Sequence, residues 1–173
     1  MVTIESYNPN WPKQFAWERV YLLRELGSRL IAIEHIGSTA VPGLAAKPVI
    51  DILVGVASLE LIDQAEIQVL KALGYEYIKA FEEFIPDRRY FQKLDPMGEH
   101  LVHVHIVKYA DSFWQCHILF RDYLIAHPAV AKEYEQLKIQ LAAQYSNDRK
   151  SYTQSKTLFV EQVVKDAKMW NAE

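Results

Sequence analysis

Residues 31–56 read IAIEHIGSTAVPGLAAKPVIDILVGV, and this segment decides the fold. Residues 31–36 and 48–56 are rich in β-branched and other apolar side chains, which predicts two strands joined by a connector that contains Gly37 and Ser38. The only acidic residue of the second run is Asp51. A lone carboxylate in a buried strand is costly to desolvate unless it is paired or binds a cation.

The connector supplies the groups that a phosphate needs. Gly37 and Ser38 offer backbone N–H groups and a hydroxyl at the end of a strand. Divalent cations such as Mg²⁺ or Mn²⁺ prefer carboxylate oxygens, and Asp51 provides them. The segment therefore predicts a site for a phosphorylated ligand and a cation. In the alternative interpretation, Asp51 forms an ion pair that ties its strand to a helix.

Outward from this segment, the pattern alternates between helix and strand and then becomes wholly helical. We predict one α+β domain over residues 1–173, with an α/β core over 1–110 and a helical part over 111–173. Its mixed sheet would carry helices mainly on one face. The further predicted helices cover residues 10–27, 58–73, 113–126, 129–145 and 148–171, and the further strands cover 75–84, 88–94 and 100–107.

Composition excludes several classes of protein. The chain has 173 residues and a net charge of −3, which gives no electrostatic footprint for nucleic acid. The only cysteine, Cys116, excludes an intrachain disulfide. The apolar runs are too short to span a bilayer and no signal peptide is visible, so we expect a cytoplasmic protein without membrane attachment.

Two histidines form a second candidate cluster. His103 and His105 alternate along a predicted strand and so share one face of it. Together with Asp51 on a neighbouring strand they would form a catalytic and metal-binding set of two imidazoles and one carboxylate. Alternatively, they are hydrogen-bonded side chains of a partly exposed sheet face.

A third group is basic and spread along the chain. Tyr152 and Lys156 are four residues apart and share a helix face. If the group faces the sheet, its cations would neutralise phosphate charge and Tyr152 would pack on a base. Each basic residue alone is better explained as a solvated charge or a surface ion pair. The members that we assign to phosphate or nucleotide binding are Lys47, Arg121, Lys138, Tyr152 and Lys156.

A strand that ends in Gly-Ser, followed by a carboxylate on the next strand, resembles the opening unit of the DNA polymerase β nucleotidyltransferase fold. That pattern has a second carboxylate two residues after the first, where this chain has Leu53. A pair formed by Asp51 and Leu53 cannot bridge two metals, which weakens the case for two-metal catalysis.

Residues 35–51, HIGSTAVPGLAAKPVID, closely resemble the signature of the GrpB family. The stretches HVH (103–105), FRDYL (120–124), YEQLK (134–138) and DRKSYTQSK (148–156) are also similar to that family, so the resemblance covers nearly the whole chain. It implies a nucleotidyltransferase-like fold with a helical C-terminal part, and a domain that is fused to dephospho-coenzyme A kinase in some bacteria. The resemblance implies no settled reaction. The site residues that it carries over are Gly37, Ser38, Lys47, Asp51, His103, His105, Arg121, Lys138, Tyr152 and Lys156.

Three functions remain open from the sequence. The first is a nucleotide-binding protein that transfers a nucleotidyl or phosphoryl group to a small molecule or protein, with Asp51, His103 and His105 as catalytic residues and Mg²⁺ or Mn²⁺ as cofactor. The second is a non-catalytic module that binds a nucleotide or coenzyme A-like ligand, or supports a partner protein. The third is a metal-dependent phosphohydrolase built on the same three residues.

Overall fold

The structure, a computed structural model, describes residues 2–171. Its centre is one five-stranded mixed sheet in the order β1-β2-β5-β4-β3. Strands β2 and β5 pair in parallel, and the other neighbouring pairs are antiparallel. The strands are β1 (Leu30–Ile36), β2 (Ile50–Val56), β3 (Glu76–Tyr77), β4 (Arg88–Leu94) and β5 (His100–Lys108).

Helices cover both faces of this sheet. The helices are α1 (Trp11–Leu26), α2 (Gln64–Ala72), α3 (Ser112–Ala126), α4 (Pro128–Gln144), α5 (Arg149–Gln154) and α6 (Thr157–Trp170). The main core lies between one face of β2, β4 and β5 and the first two helices, α1 and α2. On the opposite face, α3 packs on the sheet through Trp114, against Leu53 and Val107.

Alternation along β2 gives the two faces their different characters. Ile50, Ile52, Val54 and Val56 point into the main core, whereas Asp51 and Leu53 point to the opposite face. The parallel register then pairs Asp51 with His103 and Leu53 with His105. A carboxylate and two imidazoles are thereby brought onto one face from residues that are about fifty positions apart in sequence.

The α+β class and the mixed sheet with flanking helices are confirmed, and three details of the prediction are wrong. Helices lie on both faces and not mainly on one. The strand predicted over 75–84 contains only Glu76–Tyr77, because residues Lys79–Glu83 form a 3-10 turn whose Phe81 packs against the Tyr90 ring. The helix predicted over 148–171 is two helices, and Lys156 lies at the break between them.

Within residues 2–171, no helix is both long enough and apolar enough to cross a membrane.

Candidate functional site

A cavity of about 820 Å³ opens between the sheet face that carries Asp51 and the C-terminal helices. Its volume lies within the range of small-molecule sites in proteins. The cavity brings together nine of the ten predicted site residues from four separate parts of the chain. Those nine are Gly37, Ser38, Lys47, Asp51, His103, His105, Lys138, Tyr152 and Lys156.

Asp51 is held by a chain of hydrogen bonds along the sheet. His103 donates from Nδ1 to Asp51 Oδ1 at 2.9 Å, and its Nε2 lies 2.9 Å from Nδ1 of His100. Burial alone would raise the pKa of Asp51, but the bond and charge of His103 lower that pKa to about 2. Asp51 is therefore ionised at neutral pH. Such a weakly basic carboxylate is better suited to binding a cation than to removing a proton.

The turn after β1 is locked against the start of β2. His35 donates from Nε2 to Thr39 Oγ1 at 3.0 Å, and the Thr39 hydroxyl donates to the Val49 carbonyl at 3.2 Å. Burial lowers the pKa of His35 to about 4, so this imidazole is neutral at pH 7. These bonds fix Gly37 and Ser38 beside Asp51.

Gly37 fits this position for two reasons. Its φ of 73° lies in the left-handed region, and a Cβ atom there would approach Asp51 Oδ2 to 2.5 Å. Any side chain at position 37 would therefore strain the backbone and displace the carboxylate.

We expect Gly37→Ala to lower the free energy of unfolding by about 2–4 kcal/mol, from backbone strain plus the contact with Asp51. Urea unfolding measures the change. Gly43→Ala is the matched control, since Gly43 also has a positive φ of 81° but open space where its Cβ would lie. Equal losses in the two variants would show that the approach to Asp51 imposes no constraint.

Three lysines form one wall of the cavity, beside the Ser38 turn. Lys156 Nζ lies 4.3 Å and Lys47 Nζ 5.2 Å from the centre of the Tyr152 ring, and Lys138 Nζ lies 4.9 Å from the centre of the Tyr134 ring. Lys138 also donates to the Ala45 carbonyl. Over residues 2–171, none of these three lysines forms an ion pair with a carboxylate.

Burial and mutual repulsion lower the pKa values of these three amines. Lys138 is only 2% exposed, and burial, with Lys156 as a second cause, lowers its pKa to about 7. Burial and then the charge of Lys47 lower the pKa of Lys156 to about 8. The pKa of Lys47 is lowered by burial and by Arg149. An anion in this wall would relieve the repulsion and favour the protonated form of each lysine.

The geometry gives Tyr152 a role other than the predicted one. Its ring is 1% exposed and is approached by Lys47 and Lys156. It therefore positions two cations through its π face and offers no free surface for a base.

The predicted metal set of Asp51, His103 and His105 is not assembled. Both ring nitrogens of His103 are used by Asp51 and His100, and Nδ1 of His105 lies 3.2 Å from Arg88 Nη1. Within the described part of the chain, no three His, Cys, Asp or Glu side chains are placed to hold a metal.

A divalent cation nevertheless fits beside Asp51 if the ligand supplies the other oxygens. Asp51 Oδ2 accepts no hydrogen bond from residues 2–171, and the Asp51 side chain is 29% exposed. Mg²⁺ is commonly held by one or two carboxylates together with substrate phosphates and water. Mg²⁺ or Mn²⁺ remains a prediction, and it rests on Asp51 alone among the protein groups.

Leu53 lies on the Asp51 face, where the two-metal pattern has a second acid. It is 0% exposed and packs with Ile36, Val107 and Trp114. A carboxylate could not replace it without being buried among apolar side chains.

Arg121 is the one predicted site residue that does not line the cavity. Its Nη1 donates to Glu34 at 2.6 Å and to the His35 carbonyl at 3.0 Å, and its Nε donates to Asp122 at 2.7 Å. Its donors therefore fasten α3 to β1. A phosphate would have to compete with two carboxylates for it.

Among the lining residues that the predicted site did not include, three contact its charged groups. They are His100, which bonds His103; Tyr134, which lies under Lys138; and Arg88, which faces His105. Two had a sequence signal. Tyr134 and Lys138 are four residues apart on one helix, and Arg88, Tyr90 and Gln92 alternate along β4.

Comparison with known proteins identifies relatives over the whole chain. A family model described as "GrpB protein" matches residues 1–166. The chain is 43% identical over 169 residues to the UPF0157 protein YqkA of Bacillus subtilis. This match covers 98% of the chain and 48% of YqkA. It is 39% identical over 169 residues to the glutamate-rich protein GrpB of Alkalihalophilus pseudofirmus, with 95% of each covered. The chain thus spans about half of one of these relatives and nearly all of the other.

A solved structure agrees with the fold. The crystal structure of the conserved protein GrpB from Enterococcus faecalis superimposes with a TM-score of 0.89 at 36% identity, covering 99% of this chain and 100% of that chain. Its nucleotidyltransferase-like fold confirms the predicted architecture. A weaker similarity, 31% over 166 residues, links 84% of this chain to 40% of a dephospho-CoA kinase of Mycolicibacterium paratuberculosis.

Proposed function

The chain belongs to the GrpB family, and we propose that it binds a nucleotide in its cavity through the phosphate groups. The observation that carries this proposal is the wall formed by Lys47, Lys138 and Lys156, whose charges have no carboxylate partner within residues 2–171. Lys138 is buried and Lys47 and Lys156 are half-buried. Cations removed from water are retained at a cost to stability, so their clustering around one cavity favours an anionic ligand.

The position of the turn supports the same ligand. Ser38 and the backbone of Gly37 line the cavity together with the lysines, and Asp51 lies against Gly37. A phosphate chain between these groups would meet lysine charge and N–H donors, and a cation held by Asp51 would supply further positive charge. A polyphosphate suits the arrangement better than a single phosphate, because the wall carries three cations.

Transfer of a nucleotidyl or phosphoryl group is the activity that this placement would serve. In such a reaction an acceptor oxygen attacks phosphorus and the new P–O bond replaces the bond to the leaving group, which is pyrophosphate in nucleotidyl transfer and the nucleoside diphosphate in phosphoryl transfer. The acceptor proton passes to solvent or a nearby base. Asp51 would hold a divalent cation, which would supply positive charge beside the phosphate, and would not act as the base, since a carboxylate with a pKa of about 2 is a poor base.

A second candidate, a non-catalytic module for a nucleotide or coenzyme A-like ligand, is favoured by two observations. Leu53 is packed in the core where two-metal enzymes have an acid. The similarity to dephospho-CoA kinases favours the same candidate. A metal-dependent phosphohydrolase has less support, because His103 and His105 are engaged by protein groups.

Calorimetric titration with ATP, GTP, CTP and UTP in the presence of Mg²⁺ tests the binding proposal. We expect saturable binding of at least one nucleotide, and Ser38→Ala should weaken it by about 10-fold through loss of a hydrogen bond to phosphate.

Ser28→Ala is the matched control, because Ser28 is exposed in the 3-10 turn Gly27–Arg29, away from the cavity. Absence of binding by the native chain would overturn the proposal. Turnover of the bound nucleotide to a transferred product separates the enzyme from the binding module.

A further inference from the structure

Arg88 is a buried cation that the phosphate site does not use. It is 9% exposed, its Nε has no hydrogen-bond partner, and it has no carboxylate partner within residues 2–171. Its Nη1 donates to Nδ1 of His105 at 3.2 Å. A guanidinium left this unsatisfied is costly, and an unpaired buried donor in a native site calls for a missing acceptor.

Arg88 lies at the other end of the cavity from Asp51. The antiparallel register pairs Gln92 with His103, in the row that contains Asp51, and pairs Arg88 with Val107. Four residues of strand separate Arg88 from Gln92, which is roughly 13 Å at the usual rise per residue. The backbone of Arg88 is thus set apart from the row of Asp51, and its guanidinium reaches back along the sheet to His105.

The surroundings of Arg88 are aromatic. Its guanidinium carbon lies 5.1 Å from the centre of the Tyr90 ring and 5.6 Å from that of Phe113. Ile78, Phe81 and Tyr90 line the cavity beside it. These rings fix the plane of the guanidinium and give the adjoining space an apolar wall.

The local charge is a single positive one. Burial lowers the pKa of His105 well below its usual value, so the imidazole that faces Arg88 is neutral. The pKa of His117, the next imidazole along, is also lowered by burial. One guanidinium matches a monoanion, whereas a phosphate dianion would leave excess charge in this apolar end.

We propose that the Arg88 end of the cavity binds the carboxylate of a second ligand through the guanidinium group, with the apolar body of that ligand against Ile78, Phe81 and Tyr90. Planar, two-pronged recognition of a carboxylate is the characteristic use of an arginine in such a setting. If the chain transfers a group as proposed above, this second ligand is the acceptor, and that assignment rests on the proposed function. The subsite itself does not.

Benzoate is the probe, with benzamide as its neutral counterpart and phenyl phosphate as its dianionic one. We expect saturable benzoate binding by ligand-observed NMR, weakened by about 10-fold or more in Arg88→Met and less in Arg88→Lys. Arg89→Met is the matched control, because Arg89 is the next residue of β4 and its Nη1 lies 3.1 Å from Glu82. Thermal unfolding of each variant verifies its fold, and Arg88→Lys provides the test if Arg88→Met does not fold.

The affinity for ATP, measured in the native chain and in Arg88→Met, distinguishes failure of this inference from failure of the proposed function. We expect Arg88→Met to leave the affinity for ATP within about twofold of the native value, because the lysine wall is unchanged. Four results would overturn the subsite: no benzoate binding, equal binding by Arg88→Met, tighter binding of phenyl phosphate than of benzoate through Arg88, or loss of ATP binding in Arg88→Met. Benzoate binding without ATP binding would leave the subsite and remove the proposed function.

Discussion

Lys138→Met is expected to weaken the binding of ATP by about 10- to 100-fold at pH 7, since a charged hydrogen bond to phosphate contributes about 1.5–3 kcal/mol. The same variant should raise the melting temperature of the ligand-free protein, because it removes a buried cation that has no carboxylate partner among residues 2–171. Loss of binding combined with gain of stability is characteristic of a functional residue and not of a structural one.

The pH dependence follows from the pKa of Lys138, which is about 7 in the folded chain against an ordinary value of 10.5. The folded, ligand-free protein therefore holds fewer protons than the unfolded one between those values, and its stability rises with pH across that window. Binding of ATP requires the protonated amine, so affinity should fall as pH rises above 7. Lys156 and Lys47 oppose protonation of Lys138 and Glu135 favours it, and all three remain in the variant.

Calorimetry from pH 7.5 to 9.5 in two buffers of different ionisation enthalpy measures the uptake of protons on binding. We expect Lys138→Met to reduce that uptake by up to about one proton. Lys165→Met is the matched control, because Lys165 is exposed on α6 and does not line the cavity, and it should change neither affinity nor proton uptake. An unchanged affinity in Lys138→Met would place the phosphates elsewhere.

Asp51→Asn should abolish the contribution of Mn²⁺ to the binding of ATP. In the absence of Mn²⁺ the same substitution should strengthen the binding of ATP. With Mn²⁺ we expect an affinity about 100-fold below that of the native chain, since the only proposed protein ligand of the cation is lost. In EDTA we expect Asp51→Asn to bind ATP more tightly than the native chain, because a carboxylate that repels phosphate has been neutralised. Titration of both proteins in each condition gives the four affinities.

Asp87→Asn is the control for this change, as it removes the same charge from an exposed turn that does not line the cavity. A parallel loss of affinity in EDTA and in Mn²⁺ would mean that Asp51 has a structural role. An equal benefit from Mn²⁺ in both proteins would show that the cation is carried by the nucleotide alone.

Sequence patterns predicted the architecture because the local signals were strong and consistent. Residues 31–56 contain two apolar strands and, between them, Gly37 with a positive φ, and these features define the turn at Gly37 and Ser38 beside Asp51. The strand expected over 75–84 failed because tertiary packing of Phe81 on Tyr90 overrode local β propensity.

Nine of the ten residues predicted for the site line one cavity, but their contacts were not predicted. Parallel pairing of β2 with β5 sets Asp51 beside His103, and strand order cannot be read from alternation. The engagement of His105 with Arg88, of Arg121 with Glu34, and of Tyr152 with lysines depends on side-chain directions. Motif spacing indicates which residues share a face, but not which partner each one selects.

The most direct measurement is a crystal structure of the chain soaked with a non-hydrolysable ATP analogue and Mn²⁺. The account predicts phosphate oxygens within hydrogen-bond distance of Lys138 Nζ and the Ser38 backbone, and Mn²⁺ between those oxygens and Asp51 Oδ2, at about 2.0–2.3 Å. Phosphates bound at Arg88, or a cavity without nucleotide density at saturating concentration, would contradict it.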